Sequence, residues 1–132
     1  MKLKYLVVAS GMLLSSHAFA GEPIDFTKHI LDLDGKDIPT STAKDAPPLD
    51  LAMVASNSLL NEPAADARQP NQGKDPNEKM NRFNLAIKIH DGKTVALTSE
   101  EITMLKAAIA QSFGALIYGR AVEILDPVKP AK

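Results

Sequence analysis

Hydrophobic residues recur at helical spacing in the second half of the chain, most regularly between Asp75 and Asp126. A helix is predicted from Pro76 to about His90, because Asp75 supplies an N-cap acceptor, proline suits the first helical position, and Glu78 can reach back to the cap. Its apolar residues fall on two nearly opposite faces, which is typical of a helix packed between other elements. The faces comprise Met80, Phe83, Ile87 and His90 on one side, and Leu85 and Ile89 on the other.

A second helix follows after a short extended segment. Gly92 is predicted to end the first helix in a left-handed conformation, and residues 94–97 are predicted to form a short strand or link. A capping box from Thr98 to Glu101 begins the new helix, which runs to Asp126, where the following proline ends it. Its apolar ladder is the predicted core: Ile102, Leu105, Ile109, Phe113, Leu116, Ile117, Ala121 and Ile124.

Two glycines, Gly114 and Gly119, interrupt this ladder. Each costs about 1 kcal/mol relative to alanine in a helix interior. A kink, a close helix crossing or a break into two helices would each account for them. All nine prolines lie outside residues 77–126, which predicts that the compact part of the domain lies there.

Residues 21–39 carry hydrophobic residues on both sides of Asp34-Gly35, a dipeptide that suits a tight turn with positive φ. A small β-hairpin is predicted, with strands near residues 29–33 and 36–38. A calcium-binding loop is the alternative, but Ile30 and Ser41 occupy the two positions where such a loop needs acids. A turn is therefore favoured over a metal site.

A third, shorter helix is predicted from its N-cap Asp50 to about Leu60. Small residues on it would let another helix approach closely. Its apolar face comprises Leu51, Val54, Ala55 and Leu59. The predicted fold class is α+β: a mostly helical single domain of about three helices with a small N-terminal β-hairpin.

The domain organisation follows from these elements. Residues 21–49 hold the hairpin and an irregular segment, and residues 50–126 form the helical domain. Residues 61–74 are polar and are predicted to be a mobile linker. Residues 127–132 form a tail that is predicted to fray.

Residues 1–20 have the pattern of a secretory signal peptide: a lysine-containing start, an apolar run over residues 5–14, and the cleavage motif Ala18-Phe19-Ala20. Cleavage is expected before Gly21, which predicts a periplasmic or secreted protein. The apolar run is shorter than the roughly 20 residues that a membrane span needs, so no stable span is expected after processing. The alternative interpretation is an uncleaved anchor or a chance apolar N-terminus.

Cleavage would leave 112 of the 132 residues, enough for one domain. The mature net charge would be −3, because the segment removes two of the 15 basic residues and none of the 16 acidic residues. Lys79, Arg82 and Lys88 form a modest basic group on the helix that begins at Pro76, interpreted as a solvated face. Without excess charge or an aromatic platform, no nucleic-acid partner is expected.

The chain has few candidate residues for catalysis or metal binding. The chain has no cysteine, so disulfides, thiolate metal sites and cysteine nucleophiles are excluded. The mature chain has two histidines, His29 and His90, in different predicted elements and outside any known catalytic or metal-binding motif. The protein is therefore predicted not to be an enzyme and to need no cofactor or metal.

Arg120 is the main candidate for binding, since a continuous helical wheel places it inside the apolar stripe. Its side chain could lie along apolar surface, pair with Glu123 or Glu101, or bind an anionic ligand. Tyr118 and Phe113 are the aromatic candidates for an interaction hot spot.

The layout resembles a group of small phage and prophage proteins. The matching stretches are the Asp-Leu-Asp-Gly-Lys turn at residues 32–36, the Asn-x-Leu-Leu ending at residues 57–60, the helix at residues 82–89, and the Leu-Thr-Ser-Glu-Glu-Ile start at residues 97–102 with a small residue near Gly119. The resemblance implies no catalytic residues. It implies a cytoplasmic location, whereas the signal peptide implies export.

The leading functional hypothesis is an exported, non-catalytic interaction or assembly protein. Its partner would be another protein or a second copy bound through the long second helix. One alternative is a phage-derived cytoplasmic morphogenesis factor. Another is a small-anion-binding periplasmic protein that uses Arg120.

Overall fold

The computed structural model describes residues 22–61 and 75–127. The predicted signal peptide, residues 62–74 of the predicted linker and residues 128–132 of the tail lie outside the described residues. The described residues form two short strands and four helices. In chain order these are β1 (Ile24–Asp25), α1 (Leu51–Leu60), α2 (Pro76–Asp91), β2 (Thr94–Val95), α3 (Ser99–Ser112) and α4 (Ala115–Leu125).

Helix α1 lies at the centre of the fold and packs against both α2 and α3, while α3 also packs against α4. The predicted apolar face of α1 is confirmed, and Ser58 is buried with it. The hydroxyl of Ser58 donates to the carbonyl of Val54 at 2.7 Å, which satisfies this buried polar group within the helix. The core is completed by Phe26, Ile30, Leu85, Ile89, Leu97, Ile102, Leu105, Ile109, Ala121 and Leu125.

The backbone amides in the first turn of α1 are hydrogen-bonded. The amides of Leu51 and Ala52 donate to carbonyls of the segment that follows β1, both at 2.9 Å. The side chain of Asp50 accepts from the amide of Met53 at 2.8 Å, as predicted for an N-cap. The start of this buried helix is thus attached to the N-terminal segment.

The last turn of α1 is capped by Arg82, which reaches it from α2. Its Nε donates to the carbonyl of Leu59 at 3.1 Å, and its terminal nitrogen donates to the carbonyl of Ser58 at 2.7 Å. These carbonyls lie at the negative end of the helix dipole, so a cation is favoured there. The prediction that Arg82 belongs to a solvated face is wrong: only 6% of the residue is exposed.

Helix α2 begins and ends close to its predicted bounds, but only one of its apolar faces is covered. Leu85, Ala86 and Ile89 are buried together with Arg82, whereas the face carrying Met80, Phe83 and Ile87 is exposed. The prediction that α2 is packed between other elements is therefore wrong. The described elements that contact α2 pack on the first face, and none of them covers the second.

A salt bridge links α2 to the start of α3. Lys88 Nζ lies 2.9 Å from Glu101 Oε2. The same carboxylate accepts from the amide of Thr98 at 2.9 Å, and the Thr98 hydroxyl accepts from the amide of Glu101 at 3.2 Å. The predicted capping box is confirmed, and Glu101 also joins the start of α3 to α2 through Lys88.

The sheet differs from the predicted N-terminal hairpin. β1 pairs with β2 in an antiparallel register that joins Ile24 to Val95 and Asp25 to Thr94. The Asp34-Gly35 turn does form, and Gly35 has φ of 78°. The side chain of Asp32 closes this turn by accepting from the amides of residues 34 and 36.

A third segment explains why this turn does not extend into a regular hairpin. The amide of Ile30 donates to the carbonyl of Leu49 at 2.8 Å, and the amide of Leu49 donates to the carbonyl of Ile38 at 2.7 Å. Leu49 thus takes hydrogen bonds that a two-stranded ladder would use. The result is a set of isolated bridges that includes Leu31 with Asp37.

The predicted long second helix is two helices. Phe113 and Gly114 adopt extended backbone between α3 and α4, with ψ of 156° and 173°. Of the three explanations left open for the glycines, a break at Gly114 is the one observed. Among the described residues, no helix has the length and hydropathy to cross a membrane.

Gly92 ends α2, but by a different mechanism from the predicted left-handed cap. Its φ is −115°, which any residue can adopt. A Cβ at this position would lie 2.7 Å from a methyl carbon of Val95. A side chain at this position would therefore force Val95 of β2 to shift.

Replacing Arg82 by methionine is expected to lower the free energy of unfolding by about 1–3 kcal/mol, because two buried carbonyls of α1 lose their donor. Urea unfolding measures this difference. The control is Lys36→Met, which removes the same charge from an exposed side chain and should change stability by less than about 0.5 kcal/mol. Equal stability of Arg82→Met and the parent would contradict the proposed cap.

Candidate functional site

Three large apolar side chains on α2 face solvent and are here called the α2 stripe: Met80, Phe83 and Ile87. Their exposed fractions are 55%, 49% and 43%. They occupy positions i, i+3 and i+7, the spacing of anchor residues in helices that dock into apolar grooves. Exposed apolar side chains grouped on one helix face are a feature of interaction surfaces.

The surroundings of the α2 stripe favour an apolar partner. At 3.6 residues per turn, Asn84 lies at one edge of this face, beside Met80. It is uncharged, and so covering this edge of the stripe would not remove a charge from water. Desolvating a charge is a large cost in binding, whereas an amide can exchange its hydrogen bonds.

The aromatic candidates predicted from the sequence are less exposed to solvent than the residues of the α2 stripe. Phe113, at the end of α3, and Tyr118, on α4, are half-buried and pack against the core. Leu116 is exposed between them. The sequence pattern selected Phe113 and Tyr118 as aromatic residues that could cluster on one helix face.

Arg120 lines an open cleft of about 420 Å³ between α4 and the segment that follows β1. This charged cleft has cations, carboxylates and aliphatic side chains in its walls. Its lining residues are Lys28, His29, Leu31, Asp37, Arg120, Glu123 and Ile124.

The guanidinium of Arg120 has two partners. It donates to Glu123 Oε2 at 3.1 Å, which is one of the two predicted salt bridges, and to the carbonyl of Asp32 at 2.9 Å. The second bond ties the Asp34-Gly35 turn to α4. Arg120 is therefore a structural tie between two segments as well as a wall of the charged cleft.

His29 lies in the same cleft with its Nδ1 2.9 Å from Asp37 Oδ1. Both side chains are about half exposed. His90 lies elsewhere, in a second depression of about 350 Å³ with Ile89 and Lys93 in its lining. The two histidines thus line different depressions, and within residues 22–61 and 75–127 no group of three or more histidine or acidic residues could hold a metal ion.

Asp25 has a pKa below its ordinary value because its carboxylate is hydrogen-bonded at the end of β1. The hydroxyl of Thr27 donates to Asp25 Oδ1 at 2.6 Å and is the main cause, followed by the Thr27 amide at 2.9 Å. The charge of Lys28 acts in the same direction. The lowered pKa favours the ionised form of this carboxylate.

No protein-family model, curated protein or solved structure matches the chain. The resemblance to phage and prophage proteins therefore stays a prediction, and the assignment of function depends on the geometry of the described residues.

Two isoleucines of α2 provide a matched test of which face is exposed. Ile89 is 1% exposed, and Ile89→Ala is expected to lower the free energy of unfolding by about 2–5 kcal/mol through the cavity it leaves. Ile87→Ala should change it by less than about 0.5 kcal/mol. Urea unfolding of both variants measures the contrast, and similar losses would contradict the exposure of the α2 stripe.

Thr27→Val is expected to raise the pKa of Asp25 toward the ordinary value of about 3.9, because the main hydrogen bond is lost. NMR titration of the carboxyl carbon measures the change. The folded-state pKa of the parent lies below its unfolded value, so the stabilisation is complete above about pH 5 and is lost as the pH falls through the folded-state pKa. The stability difference between parent and variant should shrink in that direction, and an unchanged pKa would contradict the assignment.

Proposed function

We propose that the protein is a non-catalytic interaction or assembly protein that binds a partner protein through the α2 stripe. The observation that carries this proposal is the exposure of Met80, Phe83 and Ile87 at anchor spacing on a helix whose opposite face is fixed in the core. A rigid helix loses little conformational entropy when its exposed face is covered. The stripe is thus already arranged for binding.

The size of the α2 stripe indicates the kind of partner. Roughly half of three large side chains is exposed, on the order of 300 Å², whereas a standard interface buries about 800 Å² on each partner. Two such stripes facing each other would bury too little area for a stable pair. A partner with an apolar groove that encloses α2 on three sides would also cover the flanks of the helix and reach the needed area.

The proposed location is the periplasm or the extracellular space, on the basis of the signal-peptide pattern at residues 1–20. The alternative, a phage-derived morphogenesis factor, would act in the cytoplasm with an unprocessed N-terminus. The intact mass of the natural protein in each cell fraction distinguishes the two, since processing before Gly21 removes 20 residues.

Photo-crosslinking tests the binding surface. A photoreactive phenylalanine analogue at position 83 is expected to give one discrete adduct in the cell that naturally produces the protein. The same analogue at position 113, where Phe113 is half-buried against the core, is the matched control and should give none. Ile87→Ala should weaken the adduct at position 83 without changing stability.

Three outcomes would contradict the proposal. Equal adducts at both positions would show non-specific contact, and no adduct at position 83 would remove the binding surface. An adduct with twice the mass of the chain would identify a second copy as the partner instead of a protein with a groove.

The anion-binding alternative has weaker support from the geometry. The guanidinium of Arg120 already contacts Glu123 and the carbonyl of Asp32. Two carboxylates, those of Asp37 and Glu123, line the same cleft. They would repel a ligand that carries only negative charge.

A further inference from the structure

The charged cleft has a balanced lining. Two fixed cations, Lys28 and Arg120, stand with two carboxylates, Asp37 and Glu123. With His29 neutral, the formal charge of the lining is zero. The remaining lining residues, Leu31 and Ile124, supply an aliphatic surface. A ligand that matches this cleft carries both signs of charge and an apolar group.

We propose that the charged cleft binds a free α-amino acid with an aliphatic side chain. Lys28 and Arg120 would donate to its carboxylate, and Glu123 and Asp37 would accept from its ammonium group. The aliphatic side chain of the ligand would lie against the surface supplied by Leu31 and Ile124. This site is formed by α4 and the segment after β1. The proposal is therefore independent of the one made for the α2 stripe.

Lys28 is the strongest single indication of a ligand. Its side chain lines the charged cleft and makes no hydrogen bond or ion pair with the described residues, although its charge acts on Asp25. A carboxylate bound there would gain a charge-assisted contact without displacing a protein partner. Arg120 has a guanidinium with five N–H donors, so donors remain beyond its two contacts.

The existing contacts of the two carboxylates do not block the site. The side chains of Glu123 and Asp37 are 66% and 53% exposed, and exposed pairs of this kind contribute little to stability because water competes for both groups. Exchanging such a contact for a ligand's ammonium group therefore costs little. The volume of about 420 Å³ lies at the small end of the range of ligand sites, which suits a single amino acid.

The site is open to water, so binding is expected to be weak, with a dissociation constant on the order of 1 mM. Leucine is the probe, and two of its derivatives serve as matched controls. N-acetylleucine lacks the ammonium group, and leucine amide lacks the carboxylate. Two-dimensional NMR titration of the full chain with each compound measures both affinity and location.

Leucine is expected to produce saturable shifts at the lining residues of the charged cleft. Each derivative should bind about tenfold more weakly, since each lacks one set of charge-assisted hydrogen bonds. Equal binding of N-acetylleucine and leucine would overturn the proposal in favour of an anion site. The absence of saturable shifts with leucine up to about 20 mM would overturn it altogether.

Substitutions at two exposed residues test the contacts assigned to the carboxylate and the ammonium group of the ligand. Lys28→Gln and Glu123→Gln should each weaken leucine binding by about tenfold. Glu123→Gln should also reduce the discrimination between leucine and N-acetylleucine, because the partner of the ammonium group is lost. Lys36→Gln, at a turn residue outside the charged cleft, is the control and should bind leucine as the parent does.

Amide spectra of the variants establish that each remains folded. Folded Lys28→Gln and Glu123→Gln variants that bind leucine with the parent's affinity would contradict the assigned contacts. A loss of affinity in Lys36→Gln as large as in the other two would also contradict them, since long-range charge would then explain the binding.

Discussion

The capping of α1 at both ends is the constraint on which the rest of the structure depends. A helix buried between two others must have the polar groups of its terminal turns satisfied. Asp50 and the segment after β1 do this at the first turn, and Arg82 does it at the last turn. Both ends of α1 are therefore attached to segments that are distant in the sequence.

The exposed face of α2 follows from this arrangement. Arg82 must face α1 to reach the carbonyls of Ser58 and Leu59, and so the face of α2 that carries it becomes the buried one. The salt bridge between Lys88 and Glu101 links α2 to the start of α3. Met80 and its neighbours in the stripe are left on the outside. An exposed apolar face and a helix cap are thus two consequences of one helix orientation.

Local signals in the sequence predicted much of the fold, and long-range contacts account for what they missed. Caps at Asp50, Asp75 and Thr98 depend on residues within four positions, and the structure confirms all three. The pairing of β1 with β2 involves two-residue strands far apart in the chain, which have no periodicity to recognise. Arg82 was misplaced because its acceptors come from the preceding helix, more than 20 residues away.

The candidate sites were predictable to different degrees. The pairing of Arg120 with Glu123 follows from their i, i+3 spacing, but the break at Gly114 changed the helical register and brought Arg120 to the charged cleft. Lys28 and Asp37 could not be predicted there, because the tertiary fold alone brings them to α4. For α2, periodicity identified two apolar faces, but it carried no information on which face the core would use.

Hydroxyl-radical footprinting of Phe83, performed on the purified protein and in the cells that produce it, is the most direct test of the exposed α2 stripe and its use in binding. Strong labelling of Phe83 is expected in the purified protein and protection in cells, with the buried Phe26 protected in both. Protection of Phe83 in the purified protein would contradict the exposed orientation of α2. Equal labelling in both settings would contradict the use of the α2 stripe as a binding surface.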